Sequence, residues 1–417
     1  MLQIQTTSRS VDAQQVVDAA IAQAAANGLH SLTLRDLAQA LGKSTTVIVN
    51  LFGAKSGLVQ AVGEEAMRLD AAFHARFFNA VSGLTLARDN LLSLIQHYLR
   101  LRAASDAGFV RIWESLLLDA EPDTARRDLL VRWDALRREA WRSHLAVDDR
   151  LARVAEPLVG MLTMEQFYAG ALLGRADYDL ILAEGLAGLI DHALGQRDGP
   201  ATVTFWYREN LVLPQAPAAG LASDSMRLKL LDIAADQILA RGVTAITNRS
   251  VSVVAGTSTS TIAYHWPDMR RFVLDAIWHS VFRDMPRYLA GQRPEGDPAV
   301  ADLDSWSRIM APTLAIGPNG EGFYVRYARL IASICIEARR DPSLQDLVML
   351  LRGPEGGGTY YNSEGVWPVD FDLTRLAATR FALWVKGSAL TAAATGQEVT
   401  SAELQAAATK LVARRAR

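Results

Sequence analysis

The chain has 417 residues, half of them hydrophobic and about a fifth charged, which is too long for one typical domain and balanced for a globular protein with a sizeable core. Its formal net charge of −2 excludes a globally basic nucleic-acid coat but leaves local basic patches open. Cys335 is the only cysteine, so an intramolecular disulfide is excluded and a reducing, cytoplasmic setting is expected. Residues 1–9 lack the charged-then-apolar order of a signal peptide. No run reaches the ~18 uninterrupted apolar residues of a membrane span, so no membrane partner is expected.

From Gln14 to Ala26 the apolar positions Val17, Ala20, Ile21, Ala24 and Ala25 recur at helical spacing and stop at Asn27-Gly28, a helix end. Thr33 is placed to cap a short helix through Leu41, and Gly42 supplies the turn that follows. Ser44 is then expected to cap a third helix through about Leu51. Helix, short helix, glycine turn and short helix is the layout of a helix-turn-helix. Residues 58–195 read as further helices, with stripes at Leu91, Leu94, Ile95, Tyr98 and Leu99 and at Leu129, Leu130, Trp133 and Leu136. The stretch 154–173 is apolar on all sides, so it is expected to be covered on several faces and to pair with 180–194 as an interface.

Residues 195–223 read as a link, with Pro and Gly at both ends and an aromatic centre, Phe205-Trp206-Tyr207, that is expected to dock on the protein. A second head follows. Gly242, Thr247, Gly256 and Ser258 repeat Gly28, Thr33, Gly42 and Ser44, each 214 residues later (242 − 28 for the first pair), so one domain occurs twice. Its leading helix is expected over 226–240, and Pro267 is expected in the first turn of a later helix. Breaks are expected at 291–298, 317–322 and 353–358, the last as a flexible connection. Gly387-Ser388-Ala389-Leu390 echoes Gly170-Ala171-Leu172-Leu173 at an offset of 217 (387 − 170), so the repeat extends beyond the heads.

These residues resemble the tetracycline-repressor (TetR) family of one-component bacterial transcription regulators. The first copy supplies Ala19-Ala20, Gly28, Thr33, Leu37-Ala38, Gly42-Lys43-Ser44, Phe52, Lys55 and Leu58. The second supplies Ala234-Ala235, Gly242, Thr247, Gly256-Thr257-Ser258, Thr261-Ile262, Tyr264-His265-Trp266 and Phe272. Copy one departs from the family at its reading helix, with Val49, Asn50 and Leu51, but keeps the lysine as Lys55. Copy two keeps Tyr264 and His265, has Ala263 for the first tyrosine and Ser252 for the helix-two alanine, and replaces the lysine with Met269. The resemblance implies an all-α fold of two such units, each a three-helix head and a helical ligand-binding and dimerisation domain. The expected divisions are 1–65, 66–197, a linker at 198–222, 223–280 and 281–417.

A reading helix puts short polar side chains from its first turns against base edges in the major groove. Ser44, Thr45, Thr46 and Asn50 suit that demand in copy one, and Thr257, Ser258, Thr259, Ser260, Thr261, Tyr264 and His265 in copy two. Asn50 suits adenine's N6/N7 edge. Thr33 and Thr247 cap helix two as their main role, with a phosphate contact in addition. Lys43, Lys55, Arg270 and Arg271 are the cations placed for phosphates. Residues 13–69 hold four basic and four acidic residues, whereas 227–283 hold seven and four, which favours the second head electrostatically.

The family usually works as a homodimer, so a tandem chain implies an intramolecular pseudo-dimer on an imperfectly palindromic double-stranded operator, with further pairing into a homodimer as the alternative. In that arrangement 154–194 pack against 373–413. The resemblance also implies an unidentified small-molecule effector that releases the DNA of a repressor. His97, Trp113, Gln166, Tyr168, Tyr324, Tyr327 and Trp384 are candidates for its pocket, although aromatics at this spacing are more often core. No cofactor or metal is expected, since the seven histidines form no ligand cluster. An enzyme is not expected either: 353–358 lacks the Gly-Lys-Ser/Thr of a phosphate loop, and Cys335 lies among isoleucines as an inert thiol. The competing reading is a ligand sensor or protein-binding adaptor in which one or both heads no longer bind DNA.

Overall fold

The computed structural model describes residues 13–119, 122–213, 215–289, 302–316, 321–361, 363 and 366–415. Pro214, the expected break at 291–298 and most of that at 317–322 lie outside the described residues. The described residues are all-α apart from one two-stranded ribbon. Helices α1 (Ala13–Asn27), α2 (Leu34–Ala40) and α3 (Thr45–Phe52) form the first head. Gly28 and Gly42 make its turns at φ 83° and 63°, a conformation that favours a residue without a Cβ. Thr33 caps α2 by accepting the Asp36 N–H (3.1 Å). Ser44 stands at the N-cap of α3, but its hydroxyl makes no capping bond. The Val47 amide is instead held by the Ser44 carbonyl (3.2 Å). Val16, Ala20, Leu37, Ile48, Leu58 and Val62 close the core beneath these helices.

The first body comprises α4 (Lys55–Ala80), α5 (Arg88–Ala103), α6 (Gly108–Leu117), α7 (Thr124–Leu145), α8 (Asp149–Ala152), α9 (Ala155–Leu172) and α10 (Ala176–Ala193). Helix α4 runs unbroken from head to body, so the expected division at 65 falls inside a helix. The α5 stripe is buried throughout, whereas Leu136 on α7 is only partly buried.

The link does dock. Its helix α11 (Thr202–Glu209) starts on Glu184, whose carboxylate accepts the Val203 and Thr204 amides (2.7 and 2.9 Å) and the Thr204 hydroxyl (2.7 Å). Helices α12 (Met226–Arg241), α13 (Asn248–Ala255) and α14 (Ser260–His265) follow in the region expected to hold a second head. Helix α15 (Met269–Leu289) leads into its body. Pro267 lies ahead of α15 and not in its first turn, because Asp268 takes the capping place and accepts the Arg271 N–H (2.7 Å). The second body has α16 (Leu303–Met310), α17 (Phe323–Arg340), α18 (Gln345–Arg352), α19 (Gly357–Tyr361), β1 (Phe371–Asp372), α20 (Arg375–Thr395), α21 (Ser401–Leu411) and β2 (Ala413–Arg414). The strands pair antiparallel, Phe371 with Arg414.

The expected flexible connection at 353–358 is packed instead. Gly353 lies under the Tyr207 ring, and Gly356 (φ 76°) lies against the α20 backbone at Ala378 and Thr379. Glycine here permits close approach, and Glu355 is carried inside.

Helices α9 and α20 cross at the centre of the molecule, flanked by α10 and α21. All of α9 is buried except Glu156 and Gly170, and all of α20 except Thr391 and Ala393. Gly387 rests on the Gly160 carbonyl, so that any Cβ there would overlap the α9 backbone. Burial of apolar surface on every side of both helices is the main force joining the halves.

Candidate nucleic-acid interface

Helices α3 and α14, the two expected reading helices, differ in what they expose. On α3, Thr45, Thr46 and Asn50 are exposed beside Ser44, with Lys43 partly buried in the turn before them and Lys55 exposed at the start of α4. Val49 and Leu51 on the same helix are also exposed. On α14 and in the turn before it, Thr259, Ser260 and Tyr264 are exposed, and Thr257, Thr261 and His265 are partly buried. Tyr264 stands 85% exposed, edge-on to the His265 ring at 5.0 Å. The Thr257 and Thr261 hydroxyls bond each other (2.5 Å), as do those of Ser258 and Ser260 (2.6 Å). These contacts stiffen the turn and tie up hydroxyls at the expected reading positions. Trp266 anchors α14 by donating its indole N–H to buried Asp275 (3.0 Å) and packing on Phe272.

The helix-two caps have settled roles. The Thr247 hydroxyl accepts the Ser250 N–H (2.9 Å) in a reciprocal capping box, the counterpart of Thr33 and Asp36. The basic surplus of the second head is largely engaged inside the protein. Arg270 binds Asp341 beyond the end of α17 (2.9 and 3.0 Å), and Arg271 binds Asp275 (3.1 Å). Arg283 binds Asp236 (2.9 Å), Arg227 lies over Trp266, and Lys229 donates to the Ala255 carbonyl (2.9 Å). Arg270 and Arg271 nonetheless remain largely exposed. Val253 and Val254 on α13 are exposed apolar side chains that sequence reasoning did not single out.

Behind the heads lies a buried polar seam that the sequence did not disclose. Arg352 of α18 donates through Nε to both carboxylate oxygens of Glu165 on α9 (3.0 and 3.1 Å), and the Tyr178 hydroxyl donates to the same carboxylate (2.9 Å). Arg339 of α17 clasps Glu114 of α6, passing over Gly170, where a Cβ would collide with its guanidinium. Arg380 of α20 binds Asp198 of the link (2.6 Å). In each pair the acid precedes residue 200 and the arginine follows it. Glu355 is met by Lys386 and by the Tyr168 hydroxyl (3.1 Å). Arginines on apolar helix faces were the available signal, but their partners lie 182 to 225 residues away.

The structure disperses the seven pocket candidates. Tyr168, Tyr324 and Tyr327 gather around Glu355 and Lys386, where burial and then the Glu355 charge push the Tyr324 phenol up to about 12. Trp113 is core, under the Arg137 guanidinium and stacked on Phe167. Gln166 is buried with no partner for either amide atom. Trp384 packs on Gly160, and His97 is exposed. None of them lines the open cavity of about 1000 Å³ between the ends of α4 and α7, which His74, Phe78, Leu136, Ser143 and His144 help to line. There His144 stacks on Phe78 at 4.4 Å, its Nε2 is buried without a partner, and burial lowers its pKa. Cys335 is buried, which pushes its thiol up. Among the described residues no group of three His, Cys, Asp or Glu is placed to hold a metal, and no single helix is long and apolar enough to cross a membrane.

No curated protein matches the chain. Residues 16–62, from α1 into the first turns of α4, match the family described as bacterial regulatory proteins, tetR family. The first head is therefore a tetR-family helix-turn-helix, and the match supports a DNA-binding transcription regulator of the tetR type.

Proposed function

We propose that the chain is a repressor in which two fused tetR-like units act as an intramolecular pseudo-dimer on an imperfectly palindromic operator, released by a small-molecule effector. The observation that carries this reading is the backbone of the heads at matched positions. Gly28 and Gly242 have φ of 83° and 80°, Gly42 and Gly256 63° and 67°, and Thr33 and Thr247 cap the same helix. The bodies add support. Phe109-Val-Arg-Ile-Trp-Glu-Ser-Leu-Leu-Leu-Asp119 in and after α6 parallels Tyr327-Ala-Arg-Leu-Ile-Ala-Ser-Ile-Cys-Ile-Glu337 in α17 at an offset of 218 (327 − 109). In both halves this segment contacts its own head, α6 on α1 and α17 on α12.

The units divide near 1–65 and 66–197, then 223–280 and 281–417, joined by 198–222. The reading side chains are Ser44, Thr45, Thr46 and Asn50 in the first head. In the second they are Thr257, Ser258, Thr259, Ser260, Thr261, Tyr264 and His265. Lys43, Lys55, Arg270 and Arg271, with the capped helix starts at Thr33 and Thr247, meet phosphates. The cavity beside His144, which His74, Phe78, Asp148 and Arg150 also line, is the candidate effector site. Footprinting on the upstream region of the gene, combined with light scattering of the complex, tests the proposal. One chain protecting two half-sites about 34–36 Å apart is expected. Protection of one half-site, or a two-chain particle, refutes the pseudo-dimer. Exposed Val49 and Leu51 favour a second reading for the first head alone, as a protein-binding adaptor, and protection confined to the second head's half-site is its signature.

A further inference from the structure

Helix α17 ends at a junction between a buried ion pair and an exposed one. In its last turn Arg339 holds buried Glu114 of α6. Two residues on, just beyond the helix, stands Asp341. Ser343 aims its carboxylate, with the Ser343 N–H and hydroxyl both donating to Oδ1 (3.1 and 2.7 Å). The other oxygen, Oδ2, accepts from Nε and Nη2 of Arg270 (3.0 and 2.9 Å).

The two partners differ in freedom. The Asp341 side chain is 15% exposed and fixed to the body, whereas that of Arg270 is 74% exposed in the first turn of α15. Arg270 comes soon after the proposed reading helix α14 and is one of the cations assigned above to DNA phosphates. A phosphate oxygen accepts from a guanidinium through the same N–H groups that a carboxylate oxygen uses. Arg270 cannot give Nε and Nη2 to both at full strength, so Asp341 and a DNA strand compete for it. The pair is not repeated at the matching positions of the first half, where Ser56 stands for Arg270 (270 − 214) and Asp123 for Asp341 (341 − 218). There Asp123 holds Arg126 at the start of α7 instead.

We propose that Asp341 makes an autoinhibitory contact, keeping the Arg270 guanidinium on the body until a DNA phosphate displaces it. The effect on DNA rests on the two-headed reading above, whereas the sequestering of Arg270 does not. An ion pair with so exposed a cation is worth up to about fivefold in an equilibrium, and salt screens it. Asp341 therefore lowers the affinity of the proposed second head by a small factor and leaves its reading face intact. Removing the acid also removes a negative charge near the DNA, so competition for Arg270 has to be separated from plain repulsion.

The test uses Asp341→Asn in the full chain, which removes the charge and keeps an oxygen for the Ser343 donors. Binding to a duplex from the upstream region of the gene should tighten about two- to fivefold at low salt, and the gain should fade as salt rises. In an Arg270→Gln background the same substitution should leave affinity unchanged, because the cation it competes for is gone. In the DNA-free chain, the Arg270 Nε–H resonance, identified by its loss in Arg270→Gln, should exchange faster with solvent once Asp341 is replaced. Unchanged or weaker affinity in a chain that binds the duplex overturns the proposal, and so does unchanged exchange. Equal tightening in both backgrounds also overturns it, assigning the effect to repulsion between Asp341 and phosphate. Faster exchange in a chain that binds no duplex, with or without Asp341, leaves the contact standing and removes the two-headed reading instead.

Discussion

The first head and the proposed second head have matching turns and differ in what they present. Each has a glycine of matching φ at the same two turns and a threonine cap on the same helix. On that common frame the first head offers Asn50 beside apolar Val49 and Leu51, and the second offers Tyr264 and His265 beside internally bonded hydroxyls. Turn and cap geometry is dictated by short-range sterics and therefore recurs, while reading faces are solvent-exposed and free to diverge. Behind them, the three buried arginine pairs take their acids before residue 200 and their arginines after it, while the exposed Arg175–Asp346 pair runs the other way. Neither half carries both members of these three buried pairs. The halves are complements and not interchangeable copies.

The largest effect tests that complementarity. Arg352→Met leaves Glu165 buried without its ion partner and should cost on the order of 3–5 kcal/mol, read by chemical denaturation. Adding Glu165→Gln should recover much of the loss, because removing both charges also removes the desolvation penalty. If the double variant is as unstable as the single, the pair is not what couples the halves.

The next effect compares the heads as DNA binders. Arg270→Ala with Arg271→Ala should weaken operator binding more than Lys55→Ala and lower its salt dependence, since each phosphate contact contributes to the slope. The structure sharpens the stakes, because Asp341 and Asp275 already hold both arginines. If binding transfers them to phosphate, the loss is large. If they stay with their carboxylates, salt-titrated affinities of the two variants converge, and the second head has no electrostatic advantage.

How much was legible in the sequence follows the same division. Gly28, Gly42, Thr33 and their counterparts announced the heads because their work is local. Ser44 was placed correctly at the N-cap, but whether its hydroxyl or its own carbonyl takes the Val47 amide depends on a rotamer that no spacing encodes. The glycines of 353–358 read as a loop by composition, yet their absent side chains are what let Tyr207 and α20 close in. The seam was illegible because Glu165 and Arg352 are joined only through tertiary packing. The match between 109–119 and 327–337 was hidden by an offset that had moved from 214 to 218.

The smallest effect is the cleanest comparison of frames. Gly42→Ala and Gly256→Ala each place a Cβ at positive φ with no atom within 4 Å of it. Crowding is absent at both sites, so each substitution reports backbone strain alone, on the order of 1 kcal/mol. Equal losses in thermal unfolding are expected if both turns are held equally firmly in the native state. A smaller loss at Gly256 would mean that the second turn relaxes into another conformation despite its Thr257–Thr261 and Ser258–Ser260 bonds. The shared frame would then be rigid only in the head that matches the family, and the reading positions of α14 would be ordered by DNA instead of being ready for it.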